Sequence, residues 1–386
     1  MKGDAAFVRD GSTWLAYSVL AFYTYLINAL GPITPFLRAD MNLDYTLASL
    51  HFSAFAVGML LAGLSVDKVV ARLGRQRTLW GGAVGMAGGA LLLVAGRTPA
   101  VTIGACLVMG ILGSALLIIV PAALSDQFGT LRAVALTEAN TLASACATLA
   151  PFCIGALART ELGWRGALLV PVLALAVIAV GCRRQRIVEA SRKEHAVPIH
   201  GGRLPSALPG AYWALWAVRV LVVSVEFCII LWGAELLENV KHLARPDAAL
   251  SMSLFLGAML AGRWLGGLLL RRVASKTLLL ATLVLAGLGF MLHWQGESLP
   301  VVATGLVLAG LGVANLYPMT LALAVGAAPG QVERAAARST LASGTAALAA
   351  PLVLGRLADL LGIGAAYGII GALLVAAFGL IVVVGA

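Results

Sequence analysis

The sequence predicts an all-α membrane protein of about 12 transmembrane helices, arranged as two pseudo-symmetric six-helix bundles. Three observations carry this. Of 386 residues, 61% are hydrophobic and only 11% charged, where a soluble protein has about 25% charged residues. Apolar stretches long enough to cross the roughly 30 Å hydrocarbon layer, about 20 residues each, follow one another along nearly the whole chain. Residues in the first half also match residues in the second at a nearly constant separation.

The first apolar segment, from about Trp14 to Phe36, exceeds the apolar core of a signal peptide. Lys2 and Arg9 before it are mixed with Asp4 and Asp10, and no small-residue cleavage site follows, so it reads as a retained helix. Breaks at charged, Pro and Gly residues then place spans at 13–37, 45–66, 77–96, 99–122, 133–158 and 162–182, and at 212–237, 248–270, 277–294, 299–326, 335–357 and 361–385. The stretch Arg183 to Pro209 is the one long hydrophilic segment and splits the spans six and six. The expected organisation is a bundle over 1–182, a central loop over 183–210 and a second bundle over 211–386.

Charge fixes an expected orientation. With the N-terminus in the cytoplasm, that side holds 18 Lys and Arg against 7 on the other, and Arg219 and Arg263 remain inside spans. The positive-inside rule therefore predicts cytoplasmic termini and a cytoplasmic central loop. The net charge of +10 is scattered over short loops, which argues against a nucleic-acid partner. Cys106, Cys146, Cys153, Cys182 and Cys228 lie in apolar stretches without CxxC spacing, so they read as helix-packing residues and no metal or cofactor is expected.

At an offset of 199, Thr141-Leu142-Ala143-Ser144 falls on Thr340-Leu341-Ala342-Ser343, Ala62-Gly63 on Ala261-Gly262, and Arg72 on Arg271. One residue further, Pro151, Gly155 and Leu157-Ala158 fall on Pro351, Gly355 and Leu357-Ala358. Matches in corresponding helix pairs at one offset indicate duplication. Parallel repeats of this kind place a substrate site between them near the midplane.

The second-to-third loop, Gly63-Leu64-Ser65-Val66-Asp67-Lys68 followed by Arg72-Leu73-Gly74-Arg75-Gln76-Arg77, resembles the loop signature of the major facilitator superfamily. Four extra residues separate its acidic and glycine parts. Gly262-Arg263…Arg271-Arg272 resembles a degenerate second copy without the Asp, and Gly31-Pro32-Ile33-Thr34-Pro35-Phe36 ends the first helix as is common there. Val108 to Gly113 lacks the arginine of drug antiporters and sugar porters, Ala150-Pro151 and Gly155 are only part of the antiporter motif, and no sugar-porter stretch occurs in the central loop.

The resemblance implies a secondary active transporter that moves a small organic solute across the bacterial inner membrane by alternating access. The same fold also admits an uncoupled facilitator and a non-transporting binding or sensor protein. No GxxxxGK[ST] loop is present, so ATP is not the expected energy source, and no catalytic cluster points to an enzyme. The expected partners are the solute, the bilayer and a coupling proton, with the chain monomeric.

Charges inside a bilayer cost several kcal/mol and face a cavity or a partner. Glu226 lies about 14 residues, roughly 21 Å, into the seventh span, where a carboxyl can take up and release a proton between the two faces. It reads as a coupling or substrate residue, or as a helix-packing glutamate. Proton coupling is favoured because it is an isolated titratable group. Arg219, a heptad earlier and roughly 10 Å away, reads either as an anion-binding guanidinium or as an arginine snorkelling beside Trp213 and Trp216. The resemblance places the first, fourth, seventh and tenth spans around a cavity, lined by Tyr23, Asn28, Ser114, Asn315 and Tyr317. Pro121 and Pro318 are candidate kinks; His51 and His293 read as solvated interfacial groups.

The resemblance also packs the fifth helix on the eighth and the second on the eleventh. It implies gating by Gly63, Asp67, Arg72, Gly74 and Arg75, with latches between Glu138 and Arg263 and between Asp67 and Arg334 or Arg338.

Overall fold

The computed structural model describes residues 7–188, 208–270, 272–328 and 331–384, without the side chains of 332–334, 336, 337, 340 and 384. Arg334 and the loop segment 189–207 therefore lie outside the described residues. The helices are α1 (Gly11–Met41), α2 (Tyr45–Leu73), α3 (Arg75–Ala95), α4 (Pro99–Phe128), α5 (Arg132–Leu157), α6 (Gly163–Gly181), α7 (Gly210–Asn239), α8 (Arg245–Leu269), α9 (Ser275–Gln295), α10 (Leu299–Val313), α11 (Leu316–Gly326), α12 (Val332–Leu361), α13 (Ile363–Ala366) and α14 (Ile369–Val384). No strand occurs among the described residues.

Among the described residues, eleven helical stretches have the length and apolarity to cross a membrane, and one of them, Pro99–Leu157, holds 59 residues. At 1.5 Å per residue that is about 90 Å, enough for two crossings. It comprises α4 and α5, joined by the short turn Gly129–Leu131 where Gly129 takes φ 53°. The tenth crossing is made of α10 and α11, interrupted at Ala314 and Asn315 just before Pro318, and the twelfth of α13 and α14. Twelve crossings result among the described residues, and an even number returns the chain to its starting face, here called the terminal face.

The N-terminus of α1 shows how local chemistry fixes that face. Asp10 caps the helix, accepting from Thr13 N–H at 2.8 Å, and also accepts from Thr13 Oγ1, Ser12 Oγ and Gln127 Nε2 at the end of α4. Burial alone would raise this carboxyl, but the hydrogen bonds outweigh it and hold it at about 2. The folded value is depressed, so the cap's stabilisation is complete above the ordinary Asp range and is lost as pH falls toward 2.

Packing repeats with the sequence. Gly110 of α4 lies against the backbone of Phe55 in α2, and Gly310 of α10 against Phe255 in α8, so closely that a Cβ at either glycine would overlap the neighbouring carbonyl. Both partners shift by 200 residues, so the duplicated helices cross at equivalent points. Between the two sets of helices, α5 packs on α8, α2 on α12 and α1 on α7.

Candidate functional site

The charges inside the membrane fall into two separate places. Glu226, half-buried on α7, has its Oε1 3.9 Å from Nη2 of Arg263 on α8, at the outer limit of an ion pair. Arg263 Nη1 donates to Ser144 Oγ of α5 at 2.9 Å. The cluster thus joins α5, α7 and α8 through a carboxyl only loosely held by its cation.

Of the two sequence readings of Arg219, burial removes the snorkelling one: the residue is 1% exposed. Its Nε donates to Ser343 Oγ and its Nη1 to the Tyr317 carbonyl, both at 3.2 Å, and its guanidinium stacks on the Tyr317 ring at 4.0 Å. No carboxylate pairs with it among the described residues. It therefore ties α7 to α12 and to α11 immediately beyond the break in the tenth crossing.

The other expected lining residues take varied positions. Asn28 is half-buried and donates to Thr24 O of its own helix. Tyr23 and Ser114 are buried, and neither hydroxyl has a hydrogen-bond partner among the described residues. Asn315 donates to Gly262 O at 2.6 Å and presses on Gly266, so it joins the broken crossing to α8. Tyr317 is 41% exposed beneath Arg219. His51 and His293 are buried, contrary to the solvated reading: His51 Nε2 meets Thr102 Oγ1 at 2.8 Å, whereas neither ring nitrogen of His293 has a partner. Each lies beside the helix that packs next to its own end, which shields it from water.

On the terminal face, Gly63, Asp67 and Arg72 are exposed, and Asp67 makes no ion pair among the described residues. Gly74 ends α2 with φ 82°, a conformation that favours glycine. Arg75 is buried and pairs with Asp126 at 2.5 Å. Glu138 takes both Nε and Nη2 of Arg9, at 2.8 and 2.6 Å, and accepts from Tyr17 Oη. The guanidinium of Arg338 lies over Trp213.

The opposite face is closed at three places. Where α1 crosses α7, Gly31 abuts the Ile230 carbonyl, and beyond it Arg38 Nη1 pairs with Glu235 Oε2 at 2.6 Å. Glu235 is fully buried, also accepts from Asn239 Nδ2 at 2.9 Å, and leaves Oε1 without a partner; Arg38 stacks on Tyr45 at 3.5 Å. Where α5 crosses α8, Gly155 abuts Pro246 O, and Arg159 pairs with Asp247. Where α12 crosses α2, Gly355 lies against Tyr45 O, and Asp359 accepts the N–H groups of Tyr45 and Thr46 at 2.8 and 2.9 Å and the Thr46 hydroxyl. Asp359 thus caps α2 from across the molecule, beside the helix's own cap Asp44.

A family model described as Major Facilitator Superfamily matches residues 13–273, more than half of the 386 residues. The chain belongs to the Major Facilitator Superfamily. It is similar to an uncharacterised MFS-type transporter of Yersinia pestis, 23% identical over 380 residues that cover 95% of this chain and 94% of that protein. Among solved structures it resembles a bacterial homologue of the human lysosomal transporter Spinster in an inward-facing, occupied conformation (TM-score 0.79, 14% identity, 96% of each chain). It also resembles a point mutant of the nucleoside transporter NupG (TM-score 0.77, 11% identity, 97% of this chain and 100% of that one). At these identities the structural likeness shows the fold.

Sequence reasoning on this superfamily member missed the closed face. Arg38 and Arg159 are among the seven Lys and Arg placed opposite the termini, and nothing in the reading singled out Glu235, Asp247 or Asp359. The repeat carried the signal: the matched pairs Leu157-Ala158 and Leu357-Ala358 stop one residue before Arg159 and Asp359. Those two positions do the same work with opposite charge, each reaching the start of a helix in the other half.

Proposed function

We propose that the protein is a secondary active transporter that moves a small organic solute across the bacterial inner membrane by alternating access, with transport coupled to protons through Glu226. The observation that supports this best is the asymmetry between the faces. Three helix crossings are closed on one face by glycine contacts and trans pairings, while the signature charges of the other face stand exposed or pair within their own half. Similarity to proteins named as transporters supports a small organic cargo.

In this reading the two halves, 1–182 and 211–386, rock about the crossings, and the terminal face is cytoplasmic. When the closed face opens, Glu138 leaves Arg9 and Tyr17 and meets Arg263, which leaves Ser144 and Glu226. Releasing Arg263 changes the charge balance at Glu226 at that step, and this is how proton binding and conformation are linked. Asp67 meets Arg334 or Arg338 in the same step.

Uptake into liposomes under an imposed pH gradient tests the coupling. Glu226→Gln is expected to lose the gradient-driven component of uptake and its pH dependence while keeping passive exchange. Unchanged rate and pH dependence in that variant leave an uncoupled facilitator as the reading. Orientation is checked separately: a reporter fused at Gly201 is expected to be active only in the cytoplasm, and periplasmic activity would reverse the two faces.

A further inference from the structure

The second part of the loop signature does work that the gating role does not use. Gln76, near the start of α3, accepts the Ile187 N–H with its Oε1 at 2.9 Å and donates from Nε2 to Gln185 O at 3.1 Å. Arg75 donates to Val188 O at 3.2 Å. Ile187 is buried, and the Gln185 side chain packs so tightly on Gly11 of α1 that a Cβ there would overlap it. The segment after α6 is thereby fixed against α1 and α3, and it encloses a pocket of about 550 Å³ on the terminal face.

Arg77, Arg183 and Arg186 line this pocket, and among the described residues no carboxylate does. All three are exposed, and none makes an ion pair among the described residues. Three like charges around one concavity repel one another unless an anion sits among them. Guanidinium forks match the oxygens of a phosphate. The remaining walls include Leu73, 51% exposed, and Trp80.

Depth decides which phosphate. With 21 residues, α3 spans about 31 Å, the thickness of the hydrocarbon layer, so its start at Arg75 lies at headgroup level. Trp80, five residues in, occupies the interfacial zone that tryptophan favours. A free phosphate has no use for an apolar rim on the lipid side; a phospholipid does. We propose that the pocket holds the headgroup phosphate of an anionic phospholipid from the leaflet on the terminal face, clamped by Arg77, Arg183 and Arg186, with its acyl chains passing Leu73 and Trp80. The site is independent of the transport reading.

Native mass spectrometry of the full detergent-purified chain tests this, using phosphatidylglycerol and phosphatidylcholine with identical acyl chains. Juxtamembrane basic residues near an anionic surface contribute enough each that preference for the anionic lipid is expected to be on the order of tenfold or more. The Arg77→Gln, Arg183→Gln, Arg186→Gln triple variant is expected to bind the two lipids alike, and Arg186→Gln alone to fall between. Arg97→Gln with Arg356→Gln, which leaves the pocket intact, is expected to keep the full preference. Equal affinity for both lipids in the wild type, or undiminished preference in the triple variant, overturns the proposal. Displacement of phosphatidylglycerol by inorganic phosphate at equal concentration overturns it too, by making free phosphate the ligand.

Discussion

Replacing Glu235 with alanine is expected to open the closed face. The side chain is fully buried and holds Arg38, whose own side chain is 19% exposed, at 2.6 Å. Removing one partner of a buried pair costs on the order of 3–5 kcal/mol; the partial exposure of Arg38 places this one at the low end, near 3 kcal/mol. In the proposed cycle the pair between α1 and α7 forms only while that face is closed, so the loss falls on one state alone. A differential of that size moves a two-state population by about two decades. In a background without the five native cysteines, Asn28→Cys on α1 reports the change. Labelling by an impermeant maleimide added from the closed side is expected to accelerate tenfold or more in Glu235→Ala. Glu235→Gln, which keeps a hydrogen-bonding group near Arg38 and Asn239, is expected to fall between. Unaltered labelling in the alanine variant would mean that the pair is incidental to closure.

Gly155→Leu and Gly355→Leu are expected to act in the same direction by bulk. Each glycine meets backbone of the partner helix, Pro246 O and Tyr45 O, which cannot yield by turning a side chain, and Gly355 also meets the Trp232 ring of α7 in its own half. Inserting methylenes into a well-packed contact costs about 1–3 kcal/mol. In the proposed cycle the cost at Gly155 is borne at a crossing that separates in the other state, whereas part of the cost at Gly355 falls on Trp232 and remains in both. Gly155→Leu is therefore expected to fold, to keep its unfolding temperature within a few degrees, and to favour the state open on that face. Gly355→Leu is expected to favour the same state with a larger loss of stability. Gly110→Leu is the contrast: its close contact, with Phe55, lies inside one set of helices and persists in both states, so the expected effect is loss of stability with no change of state. Gly88→Leu, where a Cβ meets nothing within 4 Å, is the neutral control. Equal destabilisation in Gly155→Leu and Gly110→Leu would remove the distinction between gate and scaffold.

Much of this architecture was legible in the sequence because a bilayer imposes a strict length rule. Runs of about 20 apolar residues, broken between Arg38 and Asp44 or between Arg97 and Pro99, admit few other readings. Of the two candidate kinks, Pro318 stands just past the break in the tenth crossing, whereas α4 runs unbroken through Pro121. The duplication was legible too, since Gly155 and Gly355 stand in matched surroundings. The closed face was not. A charge at the end of a span, such as Glu235 or Asp359, reads from sequence as an ordinary interfacial group, and its partner lies far off in the chain, 197 residues from Arg38 in one case and 314 from Tyr45 in the other. The snorkelling reading of Arg219 fails for a related reason. A lone cation near a helix end suggests water, yet its hydrogen bonds go to Ser343 Oγ and the Tyr317 carbonyl.

In the proposed cycle solute crosses only if the closed face opens. The contact between Arg159 and Asp247 offers the means to hold it shut. In the cysteine-less background, Arg159→Cys with Asp247→Cys is reconstituted into liposomes, and solutes accumulated from a metabolite mixture are identified by mass spectrometry before and after oxidation. Reduced protein is expected to accumulate at least one solute above protein-free liposomes, the disulfide to abolish that accumulation, and added thiol to restore it. Accumulation at the same rate with the disulfide closed would contradict alternating access through this face.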